Sequence, residues 1–78
     1  MKNYKMIMDY IENNEVFKTK IFDNKDMIIE ELGYVLKEKQ EYNVVYSKNG
    51  LYNIVAYNYI KVANKDVTIR RTFELDLL

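Results

Sequence analysis

The chain has 78 residues, 49% apolar and 31% charged, the proportions of one small globular domain rather than of a disordered or fibrous chain. Twelve basic side chains balance twelve acidic ones, which removes the net field that draws a protein onto nucleic acid or an anionic membrane. Cysteine and histidine are both absent, which excludes disulfides, thiolate metal sites and the commonest catalytic base.

The first segment, Asn3 to about Asn13, is expected to form a short amphipathic helix. Tyr4, Ile7, Met8 and Ile11 recur at i, i+3, i+4 and i+7, with Met6 and Tyr10 beside that stripe. Asn13-Asn14 would end it, because asparagine tolerates the left-handed conformation. Glu15 to Phe22 reads as an edge strand, with Phe17, Thr19 and Ile21 on one face and Val16, Lys18, Lys20 and Phe22 on the other. Lysines along a strand discourage pairing with foreign chains. Asp23 is the expected N-cap of a second helix that runs to about Gln40, with Asp26 in its first turn. Its buried stripe would be Ile28, Leu32, Val35 and Leu36, flanked by Met27 and Ile29. Gly33 in mid-helix costs roughly 1 kcal/mol against alanine, and close packing on a sheet would account for it.

The second half reads as a strand meander. Asn49-Gly50 sets a hairpin whose loop, Lys48 to Gly50, places Tyr46 opposite Tyr52 and Val44 opposite Ile54. Tyr52, Ile54, Ala56, Ile60 and Val62 then share a face. A four-residue loop, Ala63 to Asp66, would pair Val62 with Val67, Ile60 with Ile69, Ala56 with Phe73 and Ile54 with Leu75. Leu77 continues the alternation of the last strand. The expected fold is α+β: two helices packed on one face of a mainly antiparallel four-stranded sheet, in the order α-β-α-β-β-β, as a single domain over residues 1–78.

The uncovered face would display Asn43, Val45, Ser47, Leu51, Asn53, Val55, Tyr57, Tyr59, Lys61, Thr68, Arg70, Thr72, Glu74 and Asp76. In that register Tyr59 lies opposite Arg70 and Tyr57 opposite Thr72. Tyrosine and arginine are enriched at binding hot spots, since each combines a large contact area with a polar end. Val55, Tyr57, Tyr59, Lys61, Arg70 and Thr72 are therefore the expected partner-binding residues. On the core face Asn58 would oppose Arg71, a polar pair whose arginine reaches solvent or an acidic helix residue.

Little here points to catalysis. Ser47 stands alone, with no histidine to activate it. Asp23 and Asp26 suit helix capping, while the adjacent Glu30 and Glu31 point apart. Glu74 and Asp76 share a strand face but lack a third metal ligand. No glycine-rich phosphate loop exists. No catalytic residue, metal site or cofactor is expected.

The expected function is a small protein-binding module that occupies a surface of a larger protein. The alternative is a sheet that stacks single-stranded nucleic acid on Tyr57 and Tyr59 beside Lys61 and Arg70, which zero net charge disfavours. No apolar run approaches the ~20 residues that span a bilayer, and the N-terminus lacks the form of a signal peptide. A domain this small without covalent staples fits a reducing cytoplasm. The abundance of Lys, Asn, Ile and Tyr is what AT-rich codons produce. It points to a phage or mobile-element accessory protein, such as an inhibitor of a host defence nuclease. Self-association through the open sheet face or the first helix is the further expectation, because a small core gains from burying either surface.

Overall fold

The computed structural model describes residues 4–38, 41–46 and 51–76. Within them the strands are β1 (Tyr4–Glu12), β2 (Glu15–Phe22), β3 (Glu41–Tyr46), β4 (Leu51–Val62) and β5 (Lys65–Asp76), with one helix, α1 (Lys25–Lys37). They form a five-stranded antiparallel sheet in the order β2-β1-β5-β4-β3. Over the described residues the fold is therefore α+β, with one helix and the order β-β-α-β-β-β. The expected two helices, four strands and α-β-α-β-β-β order are all corrected by the first segment.

That segment is a central strand between β2 and β5. Tyr4, Met6, Met8 and Tyr10 face the helix side, and Lys5, Ile7, Asp9 and Ile11 face the other. The apolar spacing that fits a helix also fits a central strand, in which Met6 and Tyr10 complete the helix-side row while Ile7 and Ile11 stand on the other face. Asn13 and Asn14 do adopt the left-handed conformation, with φ of 53° and 63°. They do so as the two central residues of a tight hairpin turn, whose twist matches that of the flanking strands.

Ala63 and Asn64, with φ of 51° and 65°, make the same kind of turn between β4 and β5. The four-residue loop expected from Ala63 to Asp66 is thus two residues long, and Val62 pairs with Lys65. This slides the register by two: Ile60 meets Val67, Asn58 meets Ile69, Ala56 meets Arg71 and Ile54 meets Phe73. A slip of two leaves every side chain on its expected face, which is why alternation alone cannot detect it. The β3–β4 pairing is as expected, Val44 with Ile54 and Tyr46 with Tyr52. The helix α1 ends at Lys37, short of the expected end near Gln40, while the Asn49-Gly50 turn and Leu77 lie outside the described residues.

The edge position of β2 is borne out. Its faces are modified by a bulge: Tyr10 pairs with Lys18 but Ile11 pairs with Val16, so Phe17 is the extra residue. Phe17 therefore swings to the side of Lys18 and Lys20, its ring 6.3 Å from that of Tyr10, while Val16, Thr19 and Ile21 take the other face.

Asn24 rather than Asp23 caps α1, its Oδ1 accepting from the Met27 N–H at 3.0 Å. At the other end the Glu38 N–H donates to the Tyr34 carbonyl at 2.9 Å. The helix leaves β2 at one edge of the sheet and leads to β3 at the other. Thirteen residues rise about 20 Å, close to the width of about 19 Å of five strands, so α1 lies across the strands. Its inner side meets β1, β4 and β5 in a core of Met6, Ile28, Val35, Ala56 and Phe73, each at most 2% exposed. Tyr4, Met8, Phe22, Met27, Leu32, Ile54 and Leu75 pack around it. Leu36, expected in the buried stripe, is exposed. Gly33 is also exposed, and a Cβ added there would meet nothing within 4 Å, so packing on this sheet does not account for it.

Candidate protein-binding face

The side of the sheet away from α1 carries all six expected binding residues, arranged in rows by the strand register. In the first row Ile21, Ile7, Thr72 and Val55 succeed one another from β2 to β4. In the next stand Thr19, Asp9, Arg70 and Tyr57, and in the third Val16, Ile11, Thr68 and Tyr59. Lys61 and Asp66 end the series. The two-residue slip changes the partners: Arg70 lies opposite Tyr57 instead of Tyr59, and Thr72 lies opposite Val55 instead of Tyr57. Asn53, Glu74 and Asp76 take positions on the same face by register. The side chains of Asn43, Val45, Ser47 and Leu51 lie outside the described residues.

A polar network occupies the centre. The Arg70 guanidinium donates to Asp9 Oδ2 through Nε at 3.2 Å and Nη2 at 2.9 Å, and the Thr19 hydroxyl donates to Asp9 Oδ1 at 2.9 Å. Asp9 is well shielded and Arg70 is partly so, which makes these charge-assisted bonds stronger than a pair in open water. The network ties β2, β1 and β5 together across the strands. Sequence reading missed it because Asp9 was assigned to a helix. The signal that could have found it is Asn13-Asn14 between two apolar runs, which reads as a hairpin.

Around this centre stand apolar and aromatic side chains. Ile21 is 62% exposed, Tyr59 64% and Val16 47%, while Val55, Tyr57, Ile7 and Ile11 are half-buried. Lys61 lies 3.9 Å from Asp66, both well exposed. A shallow hollow of about 420 Å³ adjoins Tyr59 and Lys61, bordered by Ile60, Asp66, Val67 and Thr68.

The expected Asn58–Arg71 pair does not form, since Arg71 stands between Met8 and Ala56 on the helix side. Its Nε and Nη1 are buried without a hydrogen-bond partner, neither wet nor paired with an acidic helix residue as expected. Among the described residues no three carboxylates gather closely enough to hold a metal ion, and no helix is long and apolar enough to cross a membrane. No family model, curated protein or solved structure matches the chain.

Proposed function

We propose that the chain is a small non-catalytic module of the cytoplasm that binds a larger protein through the open sheet face. The observation that carries this reading is the face itself. Among the described residues no layer covers it, yet Ile21, Val16 and Tyr59 present apolar surface around the Asp9–Arg70–Thr19 network. Exposed apolar surface around a rigid polar centre is the usual form of a docking patch. Val55, Tyr57, Tyr59, Lys61, Arg70 and Thr72 are the binding residues of this reading, joined by Ile21 from the edge strand.

The same geometry counts against stacking of single-stranded nucleic acid. Arg70 is engaged by Asp9 and Lys61 faces Asp66, so two of the four groups that reading needs are matched to carboxylates. The narrower role, a phage or mobile-element protein that blocks a host defence protein, rests on composition alone.

Affinity capture from a lysate of the source cell tests the proposal. A protein retained in stoichiometric amount should be lost with Tyr59→Asp or Ile21→Asp, both at exposed positions. Retention unchanged by both substitutions, or recovery of nucleic acid alone, would overturn it.

A further inference from the structure

Among the described residues, α1 covers only one half of the helix-bearing face, although Val67 and Ile69 in the other half are shielded by their neighbours on the sheet. Strands β4 and β5, at twelve residues each, extend about 40 Å, whereas a helix with its side chains is about 10–12 Å across. Both tight turns lie at the end that α1 does not reach. There Tyr10, Phe17, Ile60, Val62 and Val67 line an apolar groove of about 430 Å³. Phe17 is 57% exposed and Val62 52%.

This bare half is also cationic on its β2 side. Lys18 and Lys20 hold their ammonium groups 5.6 and 5.8 Å from the centre of the Tyr10 ring. Arg71, at the border of the covered half, has two buried nitrogens without acceptors. Among the described residues no ion pair involves Lys18, Lys20 or Arg71, and Glu12 is engaged by Lys65 at 3.7 Å.

The outer side of α1 has the complementary character. At 100° per residue, Asp26, Glu30, Gly33 and Lys37 form its outermost stripe, acidic toward the N-terminus. Ile29 and Leu36 flank the stripe on one side and Tyr34 on the other, all about half exposed. Gly33 sits at the middle of this surface, with open space where its side chain would be. The glycine costs helix stability without serving a close contact among the described residues, and a second surface approaching closely would use it.

We propose that the bare half of this face receives the helix of a second copy, in a two-fold symmetric dimer. With the axis in the plane of the sheet and perpendicular to the strands, the helix end of one copy lies over the turn end of the other. Each helix then sits between two sheets, its inner side on its own core and its outer side on the partner's groove. The same rotation keeps β2 over β2. The N-terminal half of each helix, with Asp26 and Glu30, thereby falls over Lys18 and Lys20 of the partner copy. A closed two-fold contact of this kind buries the same patch on both chains. It leaves both open sheet faces outward, so it is independent of the proposed partner-binding face.

Sedimentation equilibrium at tens of micromolar tests the arrangement, with a 9.4 kDa monomer as reference. The wild-type chain should sediment at twice that mass. Val62→Asp should raise the dimer dissociation constant at least tenfold, as should the pair Lys18→Glu with Lys20→Glu, and the pair Asp26→Lys with Glu30→Lys. Mixing the two charge-reversed proteins should restore a dimer, because each groove then meets a helix of opposite sign. That restoration also shows that neither variant had merely unfolded. A wild-type monomer, a dimer indifferent to Lys18→Glu with Lys20→Glu, or charge-reversed proteins that remain monomeric when mixed would each overturn the proposal.

Discussion

The two halves of the helix-bearing face are built from the same strands and differ in what lies above them. Under α1, Met6, Ala56 and Phe73 are all but inaccessible to water. Beyond it, Phe17 and Val62 on the same face stand half in solvent. The strands continue without interruption through both regions. Backbone pairing therefore does not decide where the core lies. The helix closes the main core. In the other half Val67 and Ile69 are shielded on the sheet at 6% and 7% exposure, and that half is held by its ladder, its two turns and the Asp9–Arg70 bridge behind it.

The sharpest way to break this contrast is to truncate one residue in each half. Phe73→Ala, under the helix, should cost about 3–5 kcal/mol, comparable to the whole stability of a domain this size. Val62→Ala should change stability by no more than about 0.5 kcal/mol when measured in urea at sub-micromolar concentration. Equal losses would show that the core extends past the helix.

The bridge behind the bare half comes next in size. Asp9→Ala removes the acceptor shared by Arg70 and Thr19, and partial exposure lets Arg70 recover water. The expected loss is about 1–2 kcal/mol. A double-mutant cycle with Arg70→Ala should show coupling between the two. Additive losses would mean that the network contributes nothing beyond its separate side chains.

The smallest effect should come from the β4–β5 turn, with the opposite sign. Ala63 holds φ of 51°, a conformation that strains a residue with a Cβ by about 1–2 kcal/mol. Ala63→Gly removes that strain but gives the unfolded chain more freedom, so a net gain of about 0.5–1 kcal/mol is expected in thermal unfolding. A decrease in melting temperature would contradict the turn geometry.

What the sequence made legible follows from the length scale of each signal. The faces of β4 and β5 could be assigned because period-two alternation runs through both strands. Their register could not, since a two-residue slip preserves those faces, and only the left-handed pair Ala63-Asn64 selects the shorter turn. The first segment misled for a related reason. Tyr4, Ile7, Met8 and Ile11 satisfy a helical spacing, yet a strand with neighbours on both sides and a helix over one face also buries consecutive apolar residues. Placing it in a helix hid Asp9, and with it the bridge that organises the open face. The six expected binding residues nevertheless share one face as read, because that depended on alternation alone. The exposure of Gly33 was readable from sequence, since the buried stripe of Ile28, Leu32 and Val35 leaves position 33 on the far side of α1.

The central position of β1 and β5 governs how the sheet can assemble. The β1–β2 and β4–β5 hairpins close through two-residue turns, and such local closures take microseconds. Joining them requires Tyr4 to meet Leu75, which closes a loop of nearly the whole chain and carries the entropy of that closure. Until it happens, β1 presents a bare edge and the helix has no complete surface to cover. A topology whose decisive pairing is so distant in sequence folds slowly for its size. During synthesis on a ribosome the sheet cannot close before its last strand emerges.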